Sequence, residues 1–140
     1  MSTQKSDYML LFRGTNWSNA LSPEQIQKVA DDWMAWFERL TKQGKALSGH
    51  PLMNHGKIVS GKKGRTVADG PFAESKEAIG GYFYLRISSM EEAVEIAREC
   101  PGLEHGLEVE VRPVAERCGL MESAAANLTR NQELAGATAA

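Results

Sequence analysis

Ala78-Ile79-Gly80-Gly81-Tyr82-Phe83-Tyr84-Leu85-Arg86-Ile87 is the longest strand candidate in the chain, and Ser88-Ser89-Met90-Glu91-Glu92 follows it directly. Phe83, Leu85 and Ile87 alternate with Tyr82, Tyr84 and Arg86. The two-residue period of extended chain sends the first set to one face of a sheet and the second set to the other. Ser89 can then cap a helix that takes Glu91 and Glu92 at its positive end. Met90, Val94, Ala97 and Cys100 give that helix an apolar stripe, and Pro101-Gly102 stops it. A strand with one apolar face running into an amphipathic helix is half of an α+β unit.

Working outward, Leu107 to Pro113 repeats the alternation, with Leu107, Val109 and Val111 on one side and Glu108, Glu110 and Arg112 on the other. Near the start, Tyr8 to Arg13 is aromatic and branched, apolar on both faces as in a central strand, and Gly14 to Asn19 behind it is turn-like. Ser22-Pro23-Glu24-Gln25 carries a helix start: an N-cap serine, proline at the first helical position and a glutamine that closes a capping box. Ile26, Val29, Ala30, Trp33, Phe37 and Leu40 recur at helical steps, and Gly44 suits a left-handed cap, so the helix is expected to run to about Gln43. Ala46 to Leu52, Lys57 to Ser60 and Arg65 to Ala68 read as short strands, separated by the turn-like Met53 to Gly56 and the basic Gly61 to Gly64. Strand, helix, strands, helix, strand is the order of a ferredoxin-like βαββαβ unit, an antiparallel sheet with both helices on one face. The unit is expected over residues 1–114, with the Ala-rich residues 115–140 as a tail or docked helix.

With 140 residues, 42% of them apolar, the chain suits one core and one domain. The net charge is −2 and Lys and Arg are mixed with Asp and Glu, so a nucleic-acid partner is not expected. No stretch approaches the roughly 20 apolar residues of a membrane span. The polar start, Met1 to Asp7, lacks the apolar core of a signal peptide, which makes the cytoplasm the expected location. Cys100 and Cys118 form no C-x-x-C pair and are expected as free thiols.

The sheet face away from the helices collects Tyr82, Tyr84, Arg86, Glu108, Glu110 and Arg112, groups able to orient a polar ligand. The alternative is a face that is merely solvated. Either Met9 and Leu11, or Tyr8, Leu10 and Phe12, add apolar surface there, which a second subunit would cover. Glu110 and Arg112 can hold a phenol or carboxylate together, or pair across a dimer. Asp69 is a candidate general base, or the cap of an Asx turn. His105, just before the last strand, can exchange protons near neutrality, or be a plain loop residue. Gly80-Gly81 reads as a bulge beside a cleft. Lys62, Lys63 and Arg65 lack a phosphate-loop pattern and read as a solvated loop, while Trp33 and Trp36 read as packing residues. His50 and His55 flank a turn, the three histidines show no metal-ligand spacing, and no metal is expected.

Asp69-Gly70-Pro71-Phe72-Ala73-Glu74-Ser75-Lys76-Glu77, then Gly80-Gly81-Tyr82, then Cys100-Pro101 and Glu110-Val111-Arg112-Pro113 closely resemble the DGPF branch of the YCII-related proteins, over roughly Tyr8 to Val114. The resemblance implies a dimeric α+β barrel, in which the free sheet faces of two units pack and leave a cleft near the interface. It implies no reaction: the wider group includes a chlorinated-hydroquinone dehydrochlorinase, while most members have no assigned chemistry. A His near the first helix, paired with Asp in some relatives, is not matched between Met1 and Gly49. The expectation is a cofactor-independent enzyme of lyase or isomerase type acting on a small cyclic or phenolic molecule. Asp69 and His105 would be its acid and base, and Tyr82, Tyr84, Glu110, Arg112 and Phe72 its substrate contacts. The alternative is a binding or regulatory module linked to an extracytoplasmic-function sigma factor.

Overall fold

A computed structural model describes residues 4–14, 16–70 and 78–116. The elements are β1 (Ser6–Arg13), α1 (Pro23–Lys42), β2 (Ala46–Pro51), β3 (Lys57–Ser60), β4 (Thr66–Asp69), β5 (Ile79–Ile87), α2 (Met90–Ala97) and β6 (Glu108–Pro113). Residues 115 and 116 follow β6, and the expectation for the rest of the tail falls outside the described residues, as does that for Phe72.

Four strands form one sheet in the order β2-β5-β1-β6, and β3 and β4 form a separate two-stranded ribbon. All pairings in the sheet are antiparallel. Leaving the ribbon aside, this is the ferredoxin-like arrangement, with the first strand central as its two apolar faces predict. Leu10 and Phe12 are buried while Met9 and Leu11 are half-buried, which decides the register the sequence left open. Leu10 and Phe12 face the helices, because Phe12 meets Phe83 edge-on at 4.9 Å and Trp36 at 6.0 Å.

Helix α1 starts as its cap residues dictate: Gln25 N donates to Ser22 Oγ at 3.2 Å and Ser22 N donates to Gln25 Oε1 at 2.8 Å. It ends at Gly44, whose φ of 74° suits glycine. Helix α2 is capped by Ser89, which accepts from Glu92 N, while Glu92 in turn accepts from Ser88 N at 2.9 Å. That backbone donor, helped by Lys45, holds the Glu92 carboxyl below its ordinary range.

Two stripes differ from expectation. In α2 the buried residues are Ala93, Ile96 and Ala97, with Cys100 beyond the helix end, while Val94 is 36% exposed. Ala93, with no exposed area, lets the helix axis approach the sheet, which the larger Met90 and Val94 would prevent. In α1 the deep positions are Val29, Trp36 and Leu40, whereas Ile26 and Ala30 are exposed and Trp33 and Phe37 half-buried. The central core is Leu10, Leu85, Ile87, Leu40 and their neighbours. Each such side chain contributes roughly 1.5–3 kcal/mol by leaving water.

Candidate functional site

Strand registers set the open face of the sheet. His50, Tyr82, Leu11 and Glu110 lie in one row across β2, β5, β1 and β6, and Ser48, Tyr84, Met9 and Arg112 lie in the next. In the first row His50 Nδ1 and the Tyr82 hydroxyl are 2.9 Å apart. In the second, Tyr84 Oη donates to Asp7 Oδ2 at 2.6 Å, and Arg86 holds the same carboxylate through Nε at 2.8 Å and Nη2 at 3.2 Å. Arg86 first, and then Tyr84, keep the Asp7 carboxyl below its ordinary range. The bond to Asp7 raises the Tyr84 hydroxyl in return. Tyr84 is thus a committed donor. Glu110 sits between Arg13 at 3.6 Å and Arg112 at 3.7 Å.

On the helix side a half-open cavity of about 760 Å³ lies between α1 and the end of the sheet where β2 finishes and β5 begins. Trp17, Trp33, Phe37, Phe12 and Phe83 supply rings to its wall, and Gly49-His50-Pro51 and Gly80-Gly81 the sheet end. The rings brace one another: Phe12 to Trp33 edge-on at 4.9 Å, Phe37 to Phe83 at 4.8 Å, Trp17 stacked on Trp33 at 6.1 Å. The glycines are required by contact. A Cβ on Gly81 would stand 3.1 Å from the His50 carbonyl oxygen, and one on Gly49 2.7 Å from Phe83 Cδ1. The register of β1 against β5 shifts here, from Phe12↔Gly81 to Arg13↔Ile79, the irregularity expected at Gly80-Gly81. Polar side chains in the wall are few, among them Ser18, Glu38 and Thr41. A space of this size, apolar with sparse polar groups, has the character of a small-molecule site.

The residues singled out in the sequence are distributed unevenly about this geometry. Tyr82, Tyr84, Glu110 and Arg112 share the open face, where the Tyr82 hydroxyl meets the His50 ring, and residue 50 also borders the sheet end of the cavity. Asp69 closes β4 with its side chain 81% exposed and paired with Lys57. His105 lies on a short turn, its ring stacked on Trp17 at 6.2 Å, and so stands behind the cavity wall. Neither lines the cavity, and no hydrogen bond or ion pair joins them among the described residues. His50 was read from sequence only as a residue beside a turn. What marks it is its pairing with Tyr82, 32 residues away. Among the described residues no three His, Cys, Asp or Glu side chains cluster as metal ligands, and no helix is long and apolar enough to cross a membrane.

Fold and site together define a ferredoxin-like α+β domain with an aromatic cavity on its helix side and a polar, tyrosine-bearing open face. The chain belongs to the YCII-related domain family, whose pattern it matches over residues 7–116. An uncharacterised protein of Rhizobium meliloti (strain 1021) is 28% identical over 111 residues, 76% of this chain and 90% of that one. Among solved structures, the 5-chloro-2-hydroxyhydroquinone dehydrochlorinase of Burkholderia phenoliruptrix AC1100, in complex with 2,5-dihydroxybenzoquinone, is 18% identical. It covers 79% of this chain and 95% of its own, with a TM-score of 0.43. The hydroxynitrile lyase of Passiflora edulis is 11% identical over 84% and 99%, with a TM-score of 0.35. At these values neither likeness bears on chemistry.

Proposed function

We propose that the protein takes a small, flat, cyclic or phenolic molecule into the aromatic cavity and moves a proton on it without a cofactor, using His50 and Tyr82. The observation that carries this reading is that His50, on edge strand β2, borders the sheet end of the aromatic cavity while its ring, on the open face, stands 2.9 Å from the Tyr82 hydroxyl, which sets the pair beside the cavity mouth. Rings in the wall favour a planar apolar body by edge and face contacts. An imidazole both takes and gives protons near neutral pH, and a hydroxyl on one ring nitrogen fixes which nitrogen is free for the substrate. The proton-handling role therefore passes from Asp69 and His105 to His50. Asp69 is solvated against Lys57, and His105 acts by seating Trp17.

Within the family we place the chain in the DGPF branch, on Asp69-Gly70-Pro71-Phe72. We also read the functional form as a homodimer of the α+β-barrel type, paired through the open face. Half-buried Met9 and Leu11 sit at the middle of that face, ringed by Tyr84, Glu110 and Arg112, a pattern suited to a covered apolar centre with a polar rim.

The test is a turnover screen of small phenols, hydroquinones and cyclic ketones, followed by NMR in deuterated buffer to catch proton exchange. The wild type should exchange or convert at least one compound. His50→Gln should lose at least about a hundredfold, Tyr82→Phe less, and Asp69→Asn and His105→Ala should stay within about threefold. Saturable binding with no exchange or product would instead make the protein a binding module. Loss of turnover in Asp69→Asn with His50→Gln active would return the role to Asp69.

A further inference from the structure

Among the described residues the β3–β4 ribbon is the least supported element. Among the described residues it pairs only with itself, from Lys57↔Asp69 to Ser60↔Thr66, and every residue from Lys57 to Asp69 is exposed. A lone two-stranded hairpin is marginal in water. This one and its approach carry five large apolar side chains in the open: Leu52 at 48%, Met53 at 75%, Ile58 at 50%, Val59 at 62% and Val67 at 60%. Exposed apolar residues gathered on one arm, with free strand edges beside them, mark a surface meant to be covered. Among the described residues Ile58 lies against Gly70, where a Cβ would meet Ile58 Cδ1 at 2.5 Å, and Val59 Cγ1 comes within 3.2 Å of where a Cβ on Gly64 would stand, yet Val59 and Val67 keep 62% and 60% of their area exposed.

Charge says what covers it. Lys57, Lys62, Lys63 and Arg65 against Asp69 give the ribbon +3, and since the whole chain carries −2, the remainder carries −5. A basic, apolar arm on an otherwise acidic chain is complementary to another copy of that chain. Resting on the homodimer proposed above, we infer that the β3–β4 ribbon is an exchange arm: each protomer lays Val59 and Val67 against the acidic body of its partner, with Lys62, Lys63 and Arg65 supplying the ion pairs. Val59 and Val67 are cross-strand partners and so present one apolar face, which is the face that must be covered.

Sedimentation equilibrium on the full chain tests this, with Val59→Lys/Val67→Lys and Lys62→Glu/Lys63→Glu beside the wild type. Neither variant touches the buried core, so circular dichroism should be unchanged. The dimer dissociation constant should rise at least about tenfold in each variant, and that of the wild type should rise several-fold from low to high salt. A wild-type dimer whose dissociation constant stays within about twofold in both variants would overturn the arm while leaving the dimer standing. A wild type that is monomeric at every soluble concentration would overturn both.

Discussion

Helix α2 meets the sheet with small side chains and helix α1 meets it with rings, and the two halves of the protein differ accordingly. Under α2, Ala93, Ile96 and Ala97 let the helix lie close, and Leu10 and Leu85 beneath have no exposed area. Under α1, Trp33 and Phe37 stand on Phe12 and Phe83 edge-on or tilted, and the space between is the cavity. The same sheet face is therefore closed where small residues pack and open where mutually braced rings stand. On this contrast stability rests mainly with the closed half, and the open half is where the proposed ligand would sit.

The largest effect expected from this contrast is Leu85→Ala in the closed half, which should cost about 3 kcal/mol because the site cannot collapse around the lost volume. Phe37→Ala in the open half should cost closer to about 1 kcal/mol, since one side of the ring already faces empty space. Urea unfolding of the two variants checks both, and equal losses would break the contrast. Gly81→Val should cost about 1–3 kcal/mol through overpacking against His50 and Pro51, and should also narrow the cavity, which ligand titration reads. Asp69→Asn should change stability by less than about 0.5 kcal/mol, as expected for an exposed pair with Lys57.

A pH series sharpens the account of the open face. Asp7 has a depressed carboxyl in the folded state, held first by Arg86 and then by Tyr84. A depressed carboxyl contributes stability above its unfolded value and loses it as pH falls through the folded one. The stability gap between wild type and Asp7→Asn should therefore be constant above the ordinary value of 3.8 and shrink below it. A gap that persists undiminished in acid would mean that the trio is not ionic. Cys100, whose thiol is pushed up to about 11 by burial, should resist alkylation at pH 8 in the native state and react once the chain is unfolded.

Much of this was legible in the sequence. Alternation in Phe83, Leu85 and Ile87 named the inner face, and the Ser22 cap placed the start of α1. The stripe of Ile26, Val29, Ala30, Trp33 and Phe37 was legible as a face, and all five line the cavity. Periodicity says which way a side chain points but not how far the helix stands off, so a cavity wall reads as a core. In α2, a helix of eight residues allows two stripes, and Ala93 gains its weight only from the closeness of the sheet. The His50 and Tyr82 pair was hidden because it depends on the register of an edge strand against a strand 32 residues away. Asp69 stood out through its motif, yet its exposed position on the β3–β4 ribbon follows from that ribbon's separation from the main sheet.

The most direct test of the central claim uses the protein's own fluorophores, since Trp17 and Trp33 form part of the cavity wall. Tryptophan emission should be followed while a hydroquinone is titrated into the wild type and into Ala30→Phe, a change at an exposed helix position that puts a ring into the cavity. Saturable quenching in the wild type, weakened at least about tenfold in an Ala30→Phe variant of unchanged melting temperature, is the predicted result. Saturation at the same concentration in both proteins would contradict it, because the ligand would then be bound somewhere other than between α1 and the sheet.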